Sequence, residues 1–168
     1  MLHEQLNSMD REDALAVLGR CCGSTAWGHG MLERRPFASE ESVLQAADDV
    51  WDGLGREDYL EAFSHHPKIG ADLASLRRKF QSTATWSSGE QAGVSQADEE
   101  TLRGLAQGNI DYEARFGYIF IVCATGKSAG EMLALLQERL PNPPDRELAI
   151  AAGEQAKITR IRLEKLQP

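Results

Sequence analysis

Apolar residues recur three and four positions apart along most of this chain, a spacing typical of α-helices that bury one face. The pattern first appears at Ala14, Val17, Leu18 and Cys21, and Gly23 then supplies a stop signal. The same spacing predicts further helices at about residues 24–33, 39–54, 56–66, 73–80, 95–115, 128–140 and 145–166.

Several of these helices have a capping residue at their predicted start. The spacings S-x-x-D at residues 95–98 and S-x-x-E at residues 128–131 resemble capping boxes, in which two side chains bond the first free backbone N–H groups. The predicted N-caps are Ser39, Ser95, Ser128 and Asp145.

One segment departs from the helical spacing. Residues 116–126, FGYIFIVCATG, are aromatic and β-branched enough for a buried strand, although periodicity does not separate a strand from a buried helix of similar length. No second segment offers a partner strand. We therefore predict an all-α fold, a single compact domain of about eight helices over residues 1–168, with this run as its apolar centre.

Residues 81–94, QSTATWSSGEQAGV, are rich in serine, threonine and glycine and have no apolar period. We predict a long loop here. Long loops inside compact domains are usually functional or disordered, and a tryptophan with a Glu-Gln pair favours a functional loop.

The charge balance excludes some partners. Eighteen Lys and Arg against 26 Asp and Glu give a net charge of −8, which disfavours nucleic acid and anionic membrane surfaces. No long apolar run predicts a membrane span, the start lacks the features of a secretory signal, and the final KLQP differs from a peroxisomal S-K-L. We expect a cytoplasmic protein.

The cysteines Cys21, Cys22 and Cys123 are odd in number and lack C-x-x-C spacing. Neither a disulfide framework nor a thiolate metal site is predicted. We interpret them as small buried hydrophobic residues in a reducing compartment.

Two of the four histidines stand directly before a proline, in SHHPKIG at residues 64–70. Pro67 disfavours helical geometry at His66, so we expect a helix to end there. The negative end of a helix favours imidazolium, which would poise His66 as a proton donor near neutral pH. The alternative is a histidine that only caps the helix. His65 points about 100° away and is expected at the surface.

Five motifs in order resemble the OHCU decarboxylase family over about residues 7–166. They are RRPF at 34–37, HPKIG at 66–70, SSGEQAG at 87–93, ARFGYIFIVCATGKS at 114–128 and ITRIRLEKL at 158–166. The family acts on 2-oxo-4-hydroxy-4-carboxy-5-ureidoimidazoline (OHCU), an unstable intermediate between urate and (S)-allantoin. The resemblance implies an all-α fold, frequent homodimers, and decarboxylation with no metal or organic cofactor.

The resemblance also implies a set of site residues. His66 matches the family's proton donor and Glu90 its catalytic glutamate, with Ser87 and Gln91 as hydrogen-bonding contacts. The alternative for Glu90 is a solvated acid in a polar loop, and Ser88 competes with Ser87 for its role. Substrate contacts are also implied at Pro67 and along the pocket-lining segment of Phe120, Ile121, Val122, Cys123 and Ala124.

Arg162 matches the family's arginine near the end of the chain. It falls on a predicted inward stripe of the last helix with Leu148, Ala152, Gln155, Ile158 and Leu166. Arg162 could bind a carboxylate or a ring oxygen in a forked geometry, or form a structural ion pair. Arg160 lies about 200° away and is the exposed alternative. Position 68 is a lysine where many relatives have arginine, which removes a bidentate contact there.

Two other functions remain open at this point. A non-catalytic acidic helical adaptor would need an exposed apolar stripe, whereas the core uses the predicted stripes. A decarboxylase or hydrolase acting on another ureido compound is the third possibility.

Overall fold

A computed structural model describes the backbone of residues 1–66 and 88–166 and the side chains of residues 1–66 and 99–166. Every regular element in these ranges is an α-helix, which confirms the predicted all-α class. The helices are α1 Leu2–Ser8, α2 Arg11–Cys21, α3 Thr25–Glu33, α4 Glu40–Asp52, α5 Arg56–Ser64, α6 Ser88–Phe116, α7 Ala129–Arg139 and α8 Pro144–Lys165.

The chain forms two compact units. The first unit comprises Met1–His66 and Leu148–Pro168, and the second comprises Pro67–Glu147. That residues 1–168 make one domain stays a prediction.

Serine caps and buried tryptophans organise the first unit. Ser24 and Ser39 each accept a hydrogen bond from the backbone N–H three residues on, so α3 and α4 begin where the sequence predicts. The fully buried Trp27 donates its indole N–H to the carbonyl of Ala47, at 3.1 Å. The Trp51 indole bonds the carbonyl of Ala152 at 2.9 Å, which ties α4 to α8.

Two glycines bring α6 and α7 of the second unit together. A Cβ at Gly104 would lie 3.2 Å from Leu133, and one at Gly108 would overlap Leu136. Both helices therefore approach closely. Helix α6 ends at Phe116. The next residue, Gly117, has a φ of +82°, a left-handed conformation that favours glycine.

The strand-like run becomes neither a strand nor a helix after Phe116. Residues 117–128 form irregular backbone, and Phe120, Ile121, Val122 and Cys123 are buried. The run is thus part of the apolar interior of the second unit, as expected from its composition.

The helix boundaries differ from the prediction at four places. Helix α6 begins at Ser88, so the predicted loop over 88–94 and the N-cap at Ser95 are wrong. Glutamate, glutamine and alanine at 90–92 favour a helix enough to override the flanking glycines. Helix α8 begins with Pro144, whose missing N–H costs nothing in a first turn, so Asp145 lies inside the helix.

Helix α5 ends at Ser64, earlier than the predicted His66. Helix α1 was not predicted because its apolar pair, Leu2 and Leu6, is too short to establish a period. The helix predicted over residues 73–80 and the loop over 81–87 lie outside the described residues.

Candidate active site

His66 is held just beyond the end of α5. His65 is the C-cap, and the backbone N–H of His66 donates to the carbonyl of Phe63 at 3.2 Å. Phe63 is buried, so this end of the helix is anchored in the core of the first unit. The His66 side chain is half-buried and His65 is exposed, which confirms the predicted difference between the two histidines.

The His66 ring contacts a buried amide on α8. Its Nε2 forms a very short hydrogen bond with Oε1 of Gln155. The Nε2 group of Gln155 donates in turn to Oγ1 of Thr159, at 3.0 Å. Gln155 and Thr159 are both buried. A polar chain therefore leads from the imidazole into the interior of the first unit.

Arg162 completes this group, which we call the His66 cluster: His66, Gln155, Thr159 and Arg162. Gln155, Thr159 and Arg162 lie four and three positions apart on α8, so their side chains share one face of that helix. Arg162 is half-buried, and its Nη1 donates to the carbonyl oxygen of Cys21 at 3.5 Å. Among the residues that the structure describes, the hydrogen-bond partner of Arg162 is thus a backbone carbonyl.

Arg160 behaves as predicted for the outward position. Its side chain is 49% exposed and lies 3.7 Å from Asp48 and 3.5 Å from Glu164. The predicted inward stripe of α8 is only partly right, because Leu148, Ile158 and Leu166 are half-buried. A neighbouring face of α8 carries buried residues at every fourth position: Glu147, Ala151, Gln155, Thr159 and Leu163.

The environment of His66 favours the neutral imidazole. Burial lowers the pKa of His66 below its usual value of 6.5, and the positive charges of Arg162 and His65 lower it further, while the hydrogen bond to Gln155 opposes them. The expectation that the helix end favours imidazolium is therefore wrong. Desolvation of the half-buried ring is the largest cause of the lowered pKa of His66.

Two thiols lie beside the cluster and stay protonated. Burial raises the pKa of Cys21 and of Cys22 to about 11, although Arg162 acts in the opposite direction on both. The side chain of Thr159 also hydrogen-bonds Cys22. All three cysteines are free and buried, which confirms their interpretation as small hydrophobic residues.

The predicted pocket-lining segment belongs to the second unit. Phe120, Ile121, Val122 and Cys123 are buried and Ala124 is half-buried. Two backbone carbonyls of this segment already have partners. The carbonyl of Ile121 accepts from Nη1 of Arg139 at 2.8 Å, and that of Cys123 accepts from Nζ of Lys127 at 2.7 Å.

The remaining predicted site residues are described only in part. Glu90 and Gln91 lie on the backbone of α6, and their side chains lie outside the described part of the structure. Pro67, Lys68 and Ser87 fall outside the described residues. Of the three predicted catalytic residues, the structure therefore brings His66 and Arg162 into one cluster.

Two members of that cluster are not among the residues predicted from the sequence to form the site. Gln155 was assigned only to the inward stripe of α8, and Thr159 was not singled out. A signal was present, because an amide, a hydroxyl and a guanidinium at 155, 159 and 162 place three polar groups on one buried helix face. Such a face is expected to bind something polar, because buried polar groups require partners.

The described part of the chain contains neither a metal-ligand cluster nor a membrane-spanning helix. Across residues 1–66 and 99–166, no group of three His, Cys, Asp or Glu side chains is arranged to hold a metal ion. Within the same described residues, no helix has the length and apolar content to span a bilayer.

Fold and cluster together define an all-helical protein with a neutral imidazole, an amide and a guanidinium on one partly buried polar surface. The family profile of OHCU decarboxylase matches residues 7–164. This chain belongs to the OHCU decarboxylase family, and the predicted resemblance is confirmed.

Individual relatives agree with this membership. The chain is 39% identical over 147 residues to the uric acid degradation bifunctional protein TTL of Arabidopsis thaliana, covering 87% of this chain but only 45% of that protein. It is 30% identical over 173 residues to a 2-oxo-4-hydroxy-4-carboxy-5-ureidoimidazoline decarboxylase of Amia calva, covering 96% and 92% of the two chains. A crystal structure of OHCU decarboxylase in the presence of (S)-allantoin superposes with a TM-score of 0.70 at 35% identity, covering 94% of this chain and 98% of that one.

Proposed function

We propose that this protein catalyses the decarboxylation of OHCU to (S)-allantoin, a step in urate degradation, as a carboxy-lyase that needs no metal or organic cofactor. The observation that carries the proposal is the His66 cluster, in which an imidazole and a guanidinium lie close enough to influence each other, in a chain of this family. Near full-length similarity to the Amia calva decarboxylase supports the same substrate.

The substrate itself explains why a protein without a cofactor suffices. Its carboxylate stands on a hydroxyl-bearing carbon next to a ring C=N bond. When the C–C bond to CO2 breaks, its electron pair forms a C=C bond to the neighbouring ring carbon. The π pair of the C=N bond moves onto the ring nitrogen, which takes up a proton, and an enol remains. The protein then has to orient the carboxylate, stabilise the developing charge and direct one proton to the ureido-bearing carbon.

His66 is the proposed proton-transfer residue. Conversion of the enol to the carbonyl form removes the O–H proton and places a proton on the ureido-bearing carbon, so this step needs no net proton from solvent. A neutral imidazole can accept the first proton and deliver the second. Delivery from one side of the ring gives a single enantiomer, whereas protonation in free solution occurs on both faces.

Arg162 and Glu90 are proposed to bind the polar groups of the substrate. The Arg162 guanidinium suits a carboxylate or ring oxygen because its N–H groups form a planar fork. Glu90 is assigned to the substrate hydroxyl or ureido group. Neutral contacts are proposed for Pro67, Ser87, Gln91 and the segment 120–124.

The test supplies purified protein with freshly prepared OHCU and follows (S)-allantoin by circular dichroism. Rapid formation of one enantiomer is expected, and slow racemic product at the uncatalysed rate would refute the function. His66→Ala, Glu90→Ala and Arg162→Ala are each expected to remove most of the activity. Arg160→Ala is a matched control at an exposed neighbouring position on α8 and is expected to retain it.

The adaptor alternative requires an exposed apolar stripe, and the described side chains form none. In the part of the chain whose side chains are described, the large exposed apolar residues are Met1 and Ile110, which form no stripe. Homodimerisation and a cytoplasmic location remain predictions. Light scattering coupled to gel filtration tests the first, and fractionation of the native host tests the second.

A further inference from the structure

Gln155 joins two polar side chains in the interior of the first unit. It is 0% exposed, contacting the ring of His66 through Oε1 and the hydroxyl of Thr159 through Nε2. A buried amide forfeits its bonds to water, so it is tolerated only where protein groups replace them. Here both of its ends have partners.

The amide determines which ring nitrogen of His66 carries the proton. An amide oxygen has no hydrogen to donate, so the Nε2 of a ring bonded to Oε1 must be the donor. In the structure the amide nitrogen donates to Thr159 and the amide oxygen faces the imidazole. In the neutral ring, the lone pair available for proton uptake then lies on Nδ1.

We propose that Gln155, held in place by Thr159, is a positioning residue that fixes His66 in the Nε2–H tautomer and leaves Nδ1 to exchange the proton with the substrate. This inference rests on the proposed function and assigns the atom through which His66 acts. In the conversion of the enol to the carbonyl form, Nδ1 takes the enol O–H proton and returns a proton to the ureido-bearing carbon. The Nε2–H bond stays intact throughout.

An amide suits this position better than a carboxylate would. Both groups accept a hydrogen bond from Nε2–H, but a carboxylate adds a negative charge that stabilises imidazolium. Among the residues that the structure describes, the charged groups that act on the ring, Arg162 and His65, are both cationic and favour the neutral form. Gln155 therefore orients the ring without cancelling their effect, and Nδ1 remains able to accept a proton near neutral pH.

The first experiment examines the free protein and does not depend on activity. Proton–nitrogen NMR of the imidazole rings should show a slowly exchanging, downfield Nε2–H proton for His66, assigned by its loss in His66→Asn. Gln155→Leu should abolish this signal, and Thr159→Val should weaken it. The matched control Gln45→Leu removes an exposed glutamine bonded to Asp49 and should leave the signal unchanged. A His66 proton on Nδ1, or an unchanged signal in Gln155→Leu, would overturn the proposal.

The second experiment measures the consequence for turnover of OHCU. Gln155→Leu should lower kcat by about 10- to 100-fold with little change in KM, the scale found when a group that orients a functional histidine is removed. Gln155→Glu keeps the acceptor, so it should recover part of kcat. Its pH profile should shift to higher pH because the carboxylate raises the pKa of His66. A loss confined to KM, or a Gln155→Glu variant no better than Gln155→Leu at any pH, would contradict the positioning role.

The two experiments separate the inference from the proposed function. A wild-type protein that shows the Nε2–H signal but does not turn over OHCU refutes the function and leaves the tautomer assignment standing. A wild-type protein that turns over OHCU with its proton on Nδ1 refutes the inference alone. Circular dichroism of each variant establishes that the helices are intact.

Discussion

Arg139 and Glu147 form a buried ion pair in the second unit, with Nη2 and Oε2 2.6 Å apart and side chains 6% and 0% exposed. Nε of Arg139 donates to the same oxygen at 2.9 Å, and the hydroxyl of Tyr112 donates to it as well. The third guanidinium nitrogen bonds the carbonyl of Ile121, and the guanidinium lies 4.6 Å from the centre of the Phe120 ring. Both charges are thus compensated, and the irregular segment after α6 is tied to α7.

Glu147→Ala should strongly destabilise the protein. Removing one partner of a buried pair leaves the other charge uncompensated, which costs about 3–5 kcal/mol. Urea unfolding followed by circular dichroism measures the loss. Glu164→Ala is the matched control on the same helix, because Glu164 is 51% exposed in its pair with Arg160, and its loss should stay below about 1 kcal/mol. Equal losses would contradict the role assigned to the buried pair.

Two glycines four residues apart should respond in opposite directions to alanine. A Cβ at Gly23 would lie 2.5 Å from Cγ of His65, so Gly23→Ala must displace the residue next to His66. We expect a destabilisation of about 1–3 kcal/mol, with reduced turnover of OHCU. A Cβ added at Gly19 would meet open space, so Gly19→Ala should stabilise α2 by about 0.5–1 kcal/mol. Thermal unfolding measures both, and stabilisation by Gly23→Ala would argue against the contact.

Much of the fold follows from local signals in the sequence. Ser24 and Ser39 begin their helices as predicted because a side-chain oxygen and a following apolar period are both local features. The start of α6 differs from the prediction because glutamate, glutamine and alanine at residues 90–92 favour a helix despite the flanking glycines. The irregular path of residues 117–128 depends on partners far along the chain, such as Arg139.

The candidate site was only partly accessible to the same reasoning. His66 and Arg162 were found because a motif and a helical stripe identified them. The protonation of His66 was misjudged because the sequence gives its place at a helix end but gives neither the burial of its ring nor the proximity of Arg162. Gln155 contacts His66, which lies 89 positions away in the sequence, and no local pattern predicts a contact over that separation.

The thiols beside the His66 cluster should be unreactive in the native protein. Burial raises the pKa of Cys21 and Cys22 to about 11, so the reactive thiolate is scarce at pH 8 and access is blocked as well. A chromogenic disulfide reagent at pH 8 should label them only as fast as urea unfolds the chain. Gln107→Cys places a thiol at an exposed site and should react at once. Rapid labelling of native Cys21 or Cys22 would contradict their burial.

Acid should weaken the fold through His66. Because the pKa of His66 is lowered in the folded protein, the unfolded chain binds more protons between the folded pKa and 6.5. The free energy of unfolding therefore rises with pH across this window. The contribution of His66 to that free energy is complete above pH 6.5 and is lost as the pH falls through the folded pKa. The stability difference between wild type and His66→Gln should depend on pH below 6.5 and level off above it.

Arg162→Met removes a cation that lowers the pKa of His66, so the NMR titration of His66 should move to higher pH. An unchanged titration would show that the guanidinium does not act on the ring.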